Sequence, residues 1–362
     1  MGKATVIPFG PQHPVLPEPL HLDLVVEDEK VLEVIPQIGF IHRGLEKLVE
    51  TRDIHQFIYV AERICGICSF GHSLGYAETV EGLIGIEVPQ RAQALRVILH
   101  ELSRIHSHLL WLGLAADAFG FESLFMHCWR IRERVLDIFE ATTGGRVILS
   151  AVNVGGMNRD IDDSMLHAIV EKLDSIESDY REISRTFLMD SSVKSRLVGV
   201  GVITEQEARD LCMVGPFVRA SNVADDVRNL RIGGYGLLDG FEPITATEGD
   251  CYARVKVRVQ EVNQSIAIIK ELVAKIPHDG IGSKTKLVPA AGSQSCSVLE
   301  QPRGECYYYA RGNGSKNLDR MRMRTPTSQN LAGMVKALEG CDLADVPMVV
   351  LTIDPCISCC ER

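Results

Sequence analysis

The chain has 362 residues, 46% of them hydrophobic and 24% charged, with a formal net charge of −10. That balance is one of a globular chain with a substantial core, in one large domain or two ordinary ones. It excludes a nucleic-acid surface, and no stretch reaches the ~18 apolar residues that would span a bilayer.

The start, Met1-Gly2-Lys3, runs to Pro8 and Pro11 with no apolar segment between, so no secretory leader is expected. Gly2 invites lipidation, but the position that signal reserves for Ser or Thr holds an aliphatic residue. Eleven cysteines without an export signal point to the cytoplasm, where cysteine clusters mean metal or catalysis. Cys128, Cys212, Cys251, Cys296, Cys306 and Cys341 are scattered and read as small buried hydrophobes.

Leu20, Leu22, Leu24 and Val26 alternate, Glu27 to Lys30 turns the chain, and Val31 to Ile35 returns it; this predicts a β-hairpin over about 18–36. Helices follow. After Pro89, the residues Leu95, Ile98, Leu99, Leu102, Ile105, Leu109 and Leu112 mark one helix face. Glu122 to Glu140 predicts a second helix, and Leu166, Ile169, Leu173, Ile176, Tyr180, Ile183 and Phe187 a long third. Thr204-x-x-Glu207 has the form of a capping box. Val255, Val259, Val262, Ile266, Ile269, Val273 and Ile276 mark a fourth long helix. Gly and Pro cluster from Pro277 to Gly314, with short strands expected near Cys296 to Glu300 and Cys306 to Tyr309. Val346 to Ile353 is a buried run too brief for a free helix.

The expected fold is mainly α with small β parts (α+β), a long-helix bundle with peripheral hairpins in a single domain over 1–362. The helical core covers about 50–276, the β-containing segment about 277–330, and a ligand-bearing segment 346–362.

Two Cys-x-x-Cys pairs carry the chemistry: Cys65 and Cys68 in Arg63-Ile64-Cys65-Gly66-Ile67-Cys68, and Cys356 and Cys359 in Asp354-Pro355-Cys356-Ile357-Ser358-Cys359. Four soft thiolates suit zinc, an iron–sulfur cluster, or nickel with iron. Gly66 eases the turn of the first pair, and Pro355 fits a first helical turn that sets Cys356 and Cys359 on one face. Structural zinc is the commonest use of two such pairs, although zinc ribbons hold them ~15–20 residues apart. A redox disulfide needs one pair and a thioredoxin-like pattern that is not evident, and cluster ligands usually lie closer in sequence.

The flanking residues narrow the choice. Arg-x-Cys-Gly-x-Cys-x-x-x-His from Arg63 to His72, with Asp-Pro-Cys-x-x-Cys-x-x-Arg from Asp354 to Arg362, resembles the large subunit of nickel–iron hydrogenases. Gly10-Pro11-Gln12-His13-Pro14, His42-Arg43-Gly44-Leu45-Glu46-Lys47 and Pro302-Arg303-Gly304-Glu305 resemble its membrane-bound, energy-converting branch. That branch includes the Ech and carbon-monoxide-induced enzymes and is related to the quinone-site subunit of complex I. The resemblance runs from about Phe9 to Arg362.

The resemblance implies that Cys65 and Cys356 are terminal nickel ligands and that Cys68 and Cys359 bridge nickel to an iron carrying CO and CN. It implies that Arg303, after Pro302, faces those diatomic ligands in a canopy with Asp117 and Asp354. His72 would donate to a bridging sulfur. Cys356 would accept the proton from H2, with Glu18 as its relay. Glu46 stands where the family places a carboxylate ligand of a remote magnesium or iron site. There Arg362 replaces a C-terminal His, and a guanidinium cannot ligate a cation, so Arg362 is expected to pair with Glu46 instead. His13, His42, His106 and His108 are expected to be structural. Cys360 adds a fifth thiol, either buried and inert or open to oxidants. Many relatives continue past this motif and are cut after nickel insertion; ending at Arg362 fits either a processed form or a chain made without an extension.

The expected function is therefore reversible reduction of protons to H2. Electrons would come from an iron–sulfur small subunit served by a ferredoxin-like carrier. Integral membrane subunits would hold the chain on the cytoplasmic side of the membrane and couple it to ion translocation. The alternatives are a metal-free quinone-site subunit, which in those relatives lacks the cysteine pairs, and a zinc-stapled structural protein.

Overall fold

A computed structural model describes residues 4–283, 286 and 288–362; the readings of Met1, Gly2 and Lys3 fall outside these. Three strands, β1 (Thr5–Phe9), β2 (His21–Glu27) and β3 (Lys30–Gln37), form an antiparallel sheet in that order. Leu22, Leu24 and Val26 are the buried face of β2, so the alternation in the sequence is the pleat itself. β1, which the sequence reading left out, pairs Thr5 with Val26 through Phe9 with Leu22.

The chain then runs through α1 (Leu45–Leu48), α2 (Ile54–Glu62), α3 (Ser69–Ile84), α4 (Gln90–Ala118) and α5 (Glu122–Thr143). A two-residue hairpin, β4 (Val152–Asn153) and β5 (Gly156–Met157), leads to α6 (Asp163–Met189). The short α7 (Ser191–Leu197), α8 (Glu205–Asp210) and α9 (Gly215–Arg219) precede α10 (Cys251–Ala274). The antiparallel meander β6 (Gln294–Gln301), β7 (Gly304–Gly312), β8 (Leu318–Arg324) follows, then α11 (Pro326–Leu338), α12 (Val346–Ile353) and α13 (Ile357–Cys360).

Helices α4, α5, α6 and α10 pack into the central bundle. Asp162 and Asp250 cap α6 and α10 by accepting from Met165 N and Ala253 N at 2.8 and 2.7 Å. Thr204 and Glu207 form the capping box that opens α8. One stripe of α6 is buried, from Leu166 to Phe187, and truncating a residue such as Leu173 to Ala would cost about 2–5 kcal/mol. α4 is buried on nearly all sides, Arg91, Arg96, Glu101 and Arg104 included. The run Val346–Ile353, read as too brief for a free helix, is α12. Eight residues are not a stable helix in water, but this one packs on α4, α10 and α11 and buries Val346, Met348, Val349, Val350, Leu351 and Ile353.

Two packing details aim the site. Glycines at 71, 75 and 82 give α3 a flat face; a Cβ at Gly75 would come within 2.6 Å of Tyr308 and one at Gly71 within 2.7 Å of Gln301. The β6–β7 hairpin therefore lies directly on α3. At its tip, Gly304 (φ 132°) and Gly215 (φ 75°) meet back to back, and a Cβ on Gly215 would stand 2.2 Å from the Arg303 carbonyl. No helix among the described residues is long and apolar enough to cross a membrane.

Candidate metal centre

Cys65 and Cys68 sit in the turn between α2 and α3, with Cys68 at the N-cap of α3. Cys356 caps α13, and Cys359 lies one turn on. The two segments meet. Cys65 Sγ is 3.4 Å from Cys356 Sγ, Cys68 Sγ is 3.3 Å from Cys359 Sγ, and Cys356 Sγ is 3.1 Å from Cys359 Sγ. All four sulfurs lie within 4.8 Å of one another and are buried, and no other such group of ligand side chains occurs among the described residues. Cys68 is held well below the usual thiol range by hydrogen bonds from Cys356, then Cys359 and Cys65. Ionising more than one sulfur in so small a space sets like charges against each other unless a cation joins them. The donor set, four convergent soft thiolates, fits nickel, iron or zinc.

Arg43 stitches the two segments. Its guanidinium donates to the carbonyls of Arg63 at 2.8 Å, Ile64 at 2.7 Å and Ser358 at 3.0 Å. Glu361 accepts from Gly39 N at 2.5 Å and Ile41 N at 2.6 Å, and His42 Nδ1–H donates to the Glu361 carbonyl at 2.9 Å. Thr327 Oγ1 accepts from Cys356 N at 2.9 Å, and Thr325 Oγ1 donates to the Cys359 carbonyl at 3.0 Å. No local pattern marks these threonines.

His72 is wholly buried, with Nε2 3.2 Å from Cys359 Sγ and Nδ1 bonded to the Tyr308 hydroxyl. A tautomer protonated at Nε2 donates to the sulfur and accepts from Tyr308. Tyr308 is the inward residue of β7, reachable from the strand's alternation but not identified from sequence.

Arg303 and Pro302 form the turn between β6 and β7. Arg303 donates to Asp354 Oδ1 at 2.8 Å, to the Asp354 carbonyl at 3.0 Å and to Ser107 Oγ at 3.4 Å. Asp354 itself takes a left-handed conformation (φ 61°) to end α12. Burial pushes its carboxyl up, against the pull of Arg303 and Arg258. A cavity of about 390 Å³ opens on this face, and Cys65, Cys356, Arg303, Asp354, Glu18 and Trp111 are among its walls. Glu18 accepts from Ser358 N at 3.0 Å and also from Ile357 N and the Ser358 hydroxyl.

Asp117 is a correction. It is exposed at the far end of α4 and lines no part of this cavity. Ser107, on the same helix, is the residue that meets Arg303; ten residues of helix place Asp117 about 15 Å further along the axis.

Glu46 accepts from Arg322 Nη1 at 2.9 Å, Met323 N at 3.0 Å and Arg362 Nε at 3.2 Å. Its oxygens face donors rather than further carboxylates or imidazoles. The other histidines make structural bonds. His13 Nδ1 accepts from Val15 N at 3.3 Å, His106 meets Arg132 at 3.5 Å and His108 meets Glu261 at 2.8 Å. Cys360 is buried, and burial pushes its thiol up to about 11, the inert alternative. Among the scattered cysteines, Cys128, Cys251 and Cys306 are buried, while Cys212 and Cys296 are exposed and Cys341 half-buried, against expectation.

Sequence reading also missed a buried charge network behind the site. Arg219 donates to Glu261 and Glu300, each at 2.7 Å, and Arg228 to Asp226 at 2.7 Å. Arg104 lies 3.2 Å from Glu101 and donates to the carbonyl of Gln301 at 3.1 Å and to that of Glu300. These residues are spread over helices, strand β6 and a short turn, so nothing local announces them; mutual pairing makes their burial tolerable.

Fold and site together define a large subunit built around four thiolates from its two ends. Residues 118–294 and 283–362 match the family model described as respiratory-chain NADH dehydrogenase, 49 Kd subunit, and residues 43–114 match that of nickel-dependent hydrogenase. The chain is 37% identical to the membrane-bound hydrogenase subunit alpha of Pyrococcus furiosus, over 98% of this chain and 87% of that one. It is 37% identical to the carbon monoxide-induced hydrogenase of Rhodospirillum rubrum, over 98% and 99%. It is 34% identical to a component of the F(420)H(2) dehydrogenase of Methanosarcina mazei, over 99% and 97%. A chain in the structure of the membrane-bound sulfane sulfur reductase, an archaeal respiratory membrane complex, superposes with a TM-score of 0.93 at 29% identity, covering 99% of this chain and 98% of that one. The chain belongs to the family of large subunits of membrane-bound, energy-converting hydrogenases, related to the quinone-site subunit of complex I.

Proposed function

We propose that this chain is the catalytic subunit of a nickel–iron hydrogenase that interconverts H2 with protons and electrons. The observation that carries the reading is the convergence of Cys65, Cys68, Cys356 and Cys359 within 4.8 Å at the wall of a cavity that Arg303 and Asp354 share. The similarity to a membrane-bound hydrogenase subunit and to a carbon monoxide-induced hydrogenase supports it.

The four thiolates would hold nickel and an iron carrying CO and CN, and that group would supply the chemistry of heterolytic H2 cleavage. Cys65 and Cys356, which line the cavity, would hold nickel, and Cys68 and Cys359, which do not, would hold nickel and iron. His72 donates to Cys359 and draws charge from that sulfur. Arg303, fixed by Asp354 and Ser107, would offer its guanidinium to the iron's diatomic ligands. Cys356 accepts the proton and Glu18, in the wall of the same cavity, carries it away. Two electrons leave through an iron–sulfur small subunit to a ferredoxin-like carrier. Integral membrane partners anchor the chain on the cytoplasmic side and couple turnover to ion translocation. The Arg362–Glu46 pair at 3.2 Å stands in place of a magnesium or iron site.

Metal analysis with infrared spectroscopy of the purified complex tests this. Nickel and iron in equal amounts with CO and CN stretching bands are expected. Zinc without nickel would mark a structural site, and an absence of bound metal would favour the quinone-site reading.

A further inference from the structure

A second cavity, of about 640 Å³, lies between α3, α4, β6 and the 3₁₀ segment Gly233–Leu237. It shares no wall residue with the cavity at the cysteines. Its volume is that of a small-molecule site, and much of its wall is apolar: Leu74, Val97, Ile232, Val298 and Leu299.

Most donors in the wall are already used; Arg96 Nε and the Gln90 side-chain amide are the exceptions. Arg96 clamps Glu81 at 2.9 and 2.5 Å and donates to the carbonyls of Asn153 and Gly156 at 2.9 and 3.0 Å. Arg228 holds Asp226 at 2.7 Å and Glu101 at 3.3 Å, and Gln93 donates to the Val88 carbonyl at 2.8 Å. Acceptors remain. No hydrogen bond or ion pair from a described residue reaches the Glu78 carboxylate. His100 is wholly buried in the wall. Its Nδ1 is 3.3 Å from the Tyr235 hydroxyl, which itself donates to Glu101, so Nδ1 carries the proton. Nε2 is then a buried lone pair with no partner among the described residues.

We propose that this cavity binds a small organic cation: an ammonium, amidinium or guanidinium group on an apolar body. A carboxylate and an imidazole lone pair without donors match a donor-rich cationic head, and the aliphatic wall matches the body. A carboxylate with no hydrogen-bond partner among the described residues is costly in a cavity, and a bound cation relieves that cost.

The groups around Glu78 set its response to pH. Glu81 is on the same helix, Arg96 and His100 come from α4, Cys296 and Glu300 from β6, Tyr235 from the 3₁₀ segment, and Arg228 from the turn before it. Burial pushes Glu78 up to about 7, with Arg96 lowering and Glu81 raising it. The cation needs the ionised form, so binding strengthens as pH rises through neutrality, by about tenfold from pH 6 to pH 8.

The test is calorimetry on the full chain with benzamidine and with benzamide, its neutral near-isostere. Benzamidine is expected to bind and benzamide to bind at least tenfold more weakly. Glu78→Gln is expected to weaken benzamidine at least tenfold and to remove most of the pH dependence, the remainder belonging to Glu300 in the same wall. Val298→Trp, which fills the cavity and leaves every charge in place, is expected to prevent binding. Equal affinity for the two probes, unchanged affinity in Glu78→Gln, or no binding of benzamidine at millimolar concentration would overturn the proposal. The measurement is indifferent to metal at the cysteines, so it stands or falls apart from the hydrogenase reading.

Discussion

Cys65 and Cys356 are 291 positions apart in the chain and 3.4 Å apart at sulfur. Either residue alone is an ordinary buried thiol; together with Cys68 and Cys359 they could hold a soft cation. Cys356→Ser exchanges a soft ligand for a weak one. Metal bound per chain, measured by mass spectrometry of the elements, is expected to fall below one tenth of wild type, while far-ultraviolet circular dichroism stays unchanged.

Chelation of the wild-type protein should behave differently from unfolding. Arg43, Glu361 and Glu18 hold the C-terminal segment through protein groups alone. Metal removal is therefore expected to lower the melting temperature yet preserve helical content, and loss of both together would refute the idea that these clamps suffice.

His72 touches Cys359 without belonging to the ligand set. His72→Gln should retain metal, reduce turnover about 10–100-fold, and shift the CO and CN stretching bands. Unmoved bands would mean that the imidazole only fills space.

Glu46 gathers Arg322, Arg362 and the Met323 N–H. Glu46→Gln keeps the shape and removes the charge, leaving Arg362 short of its counter-ion. A loss of about 1–2 kcal/mol in urea denaturation is expected, with no change in metal content. A change in metal content would instead place an ion at Glu46.

Burial, with Asp226 adding to it, pushes Glu300 up to about 7 although Arg219, Arg104 and Arg228 pull it down. In the unfolded chain it titrates near 4.5. The folded form thus holds an extra proton between those values, and the stability this gives is complete below 4.5 and lost as pH rises through 7. Glu300→Gln removes that dependence. Relative to wild type, the variant should gain on the order of 2–3 kcal/mol between pH 4.5 and pH 8, read from paired denaturation curves. A difference that stays flat across that range would refute the assignment.

The legible parts of the fold were those with a period. Leu95 to Leu112, Leu166 to Phe187 and Val255 to Val273 fall on α4, α6 and α10, because each repeats an apolar residue on one face over many turns. β1 escaped because Thr5 to Phe9 is short and only Phe9 is buried, and α12 escaped because its helix exists through tertiary burial. Within the site, the two cysteine strings and Pro302-Arg303 announced themselves. Asp117 misled because a carboxylate on the right helix was taken for the residue at the right height, which is Ser107.

Long helices, thiolate chemistry and family are all written locally in the chain, as periodicity, ligand type and motif spacing. Folding added what no local pattern holds: four sulfurs meet, Ser107 and Tyr308 serve Arg303 and His72, and seven charged side chains pair behind the centre. Those relations join residues far apart in the chain. They are fixed by which surfaces exclude water together and which buried charges find partners, and no short window of sequence encodes either.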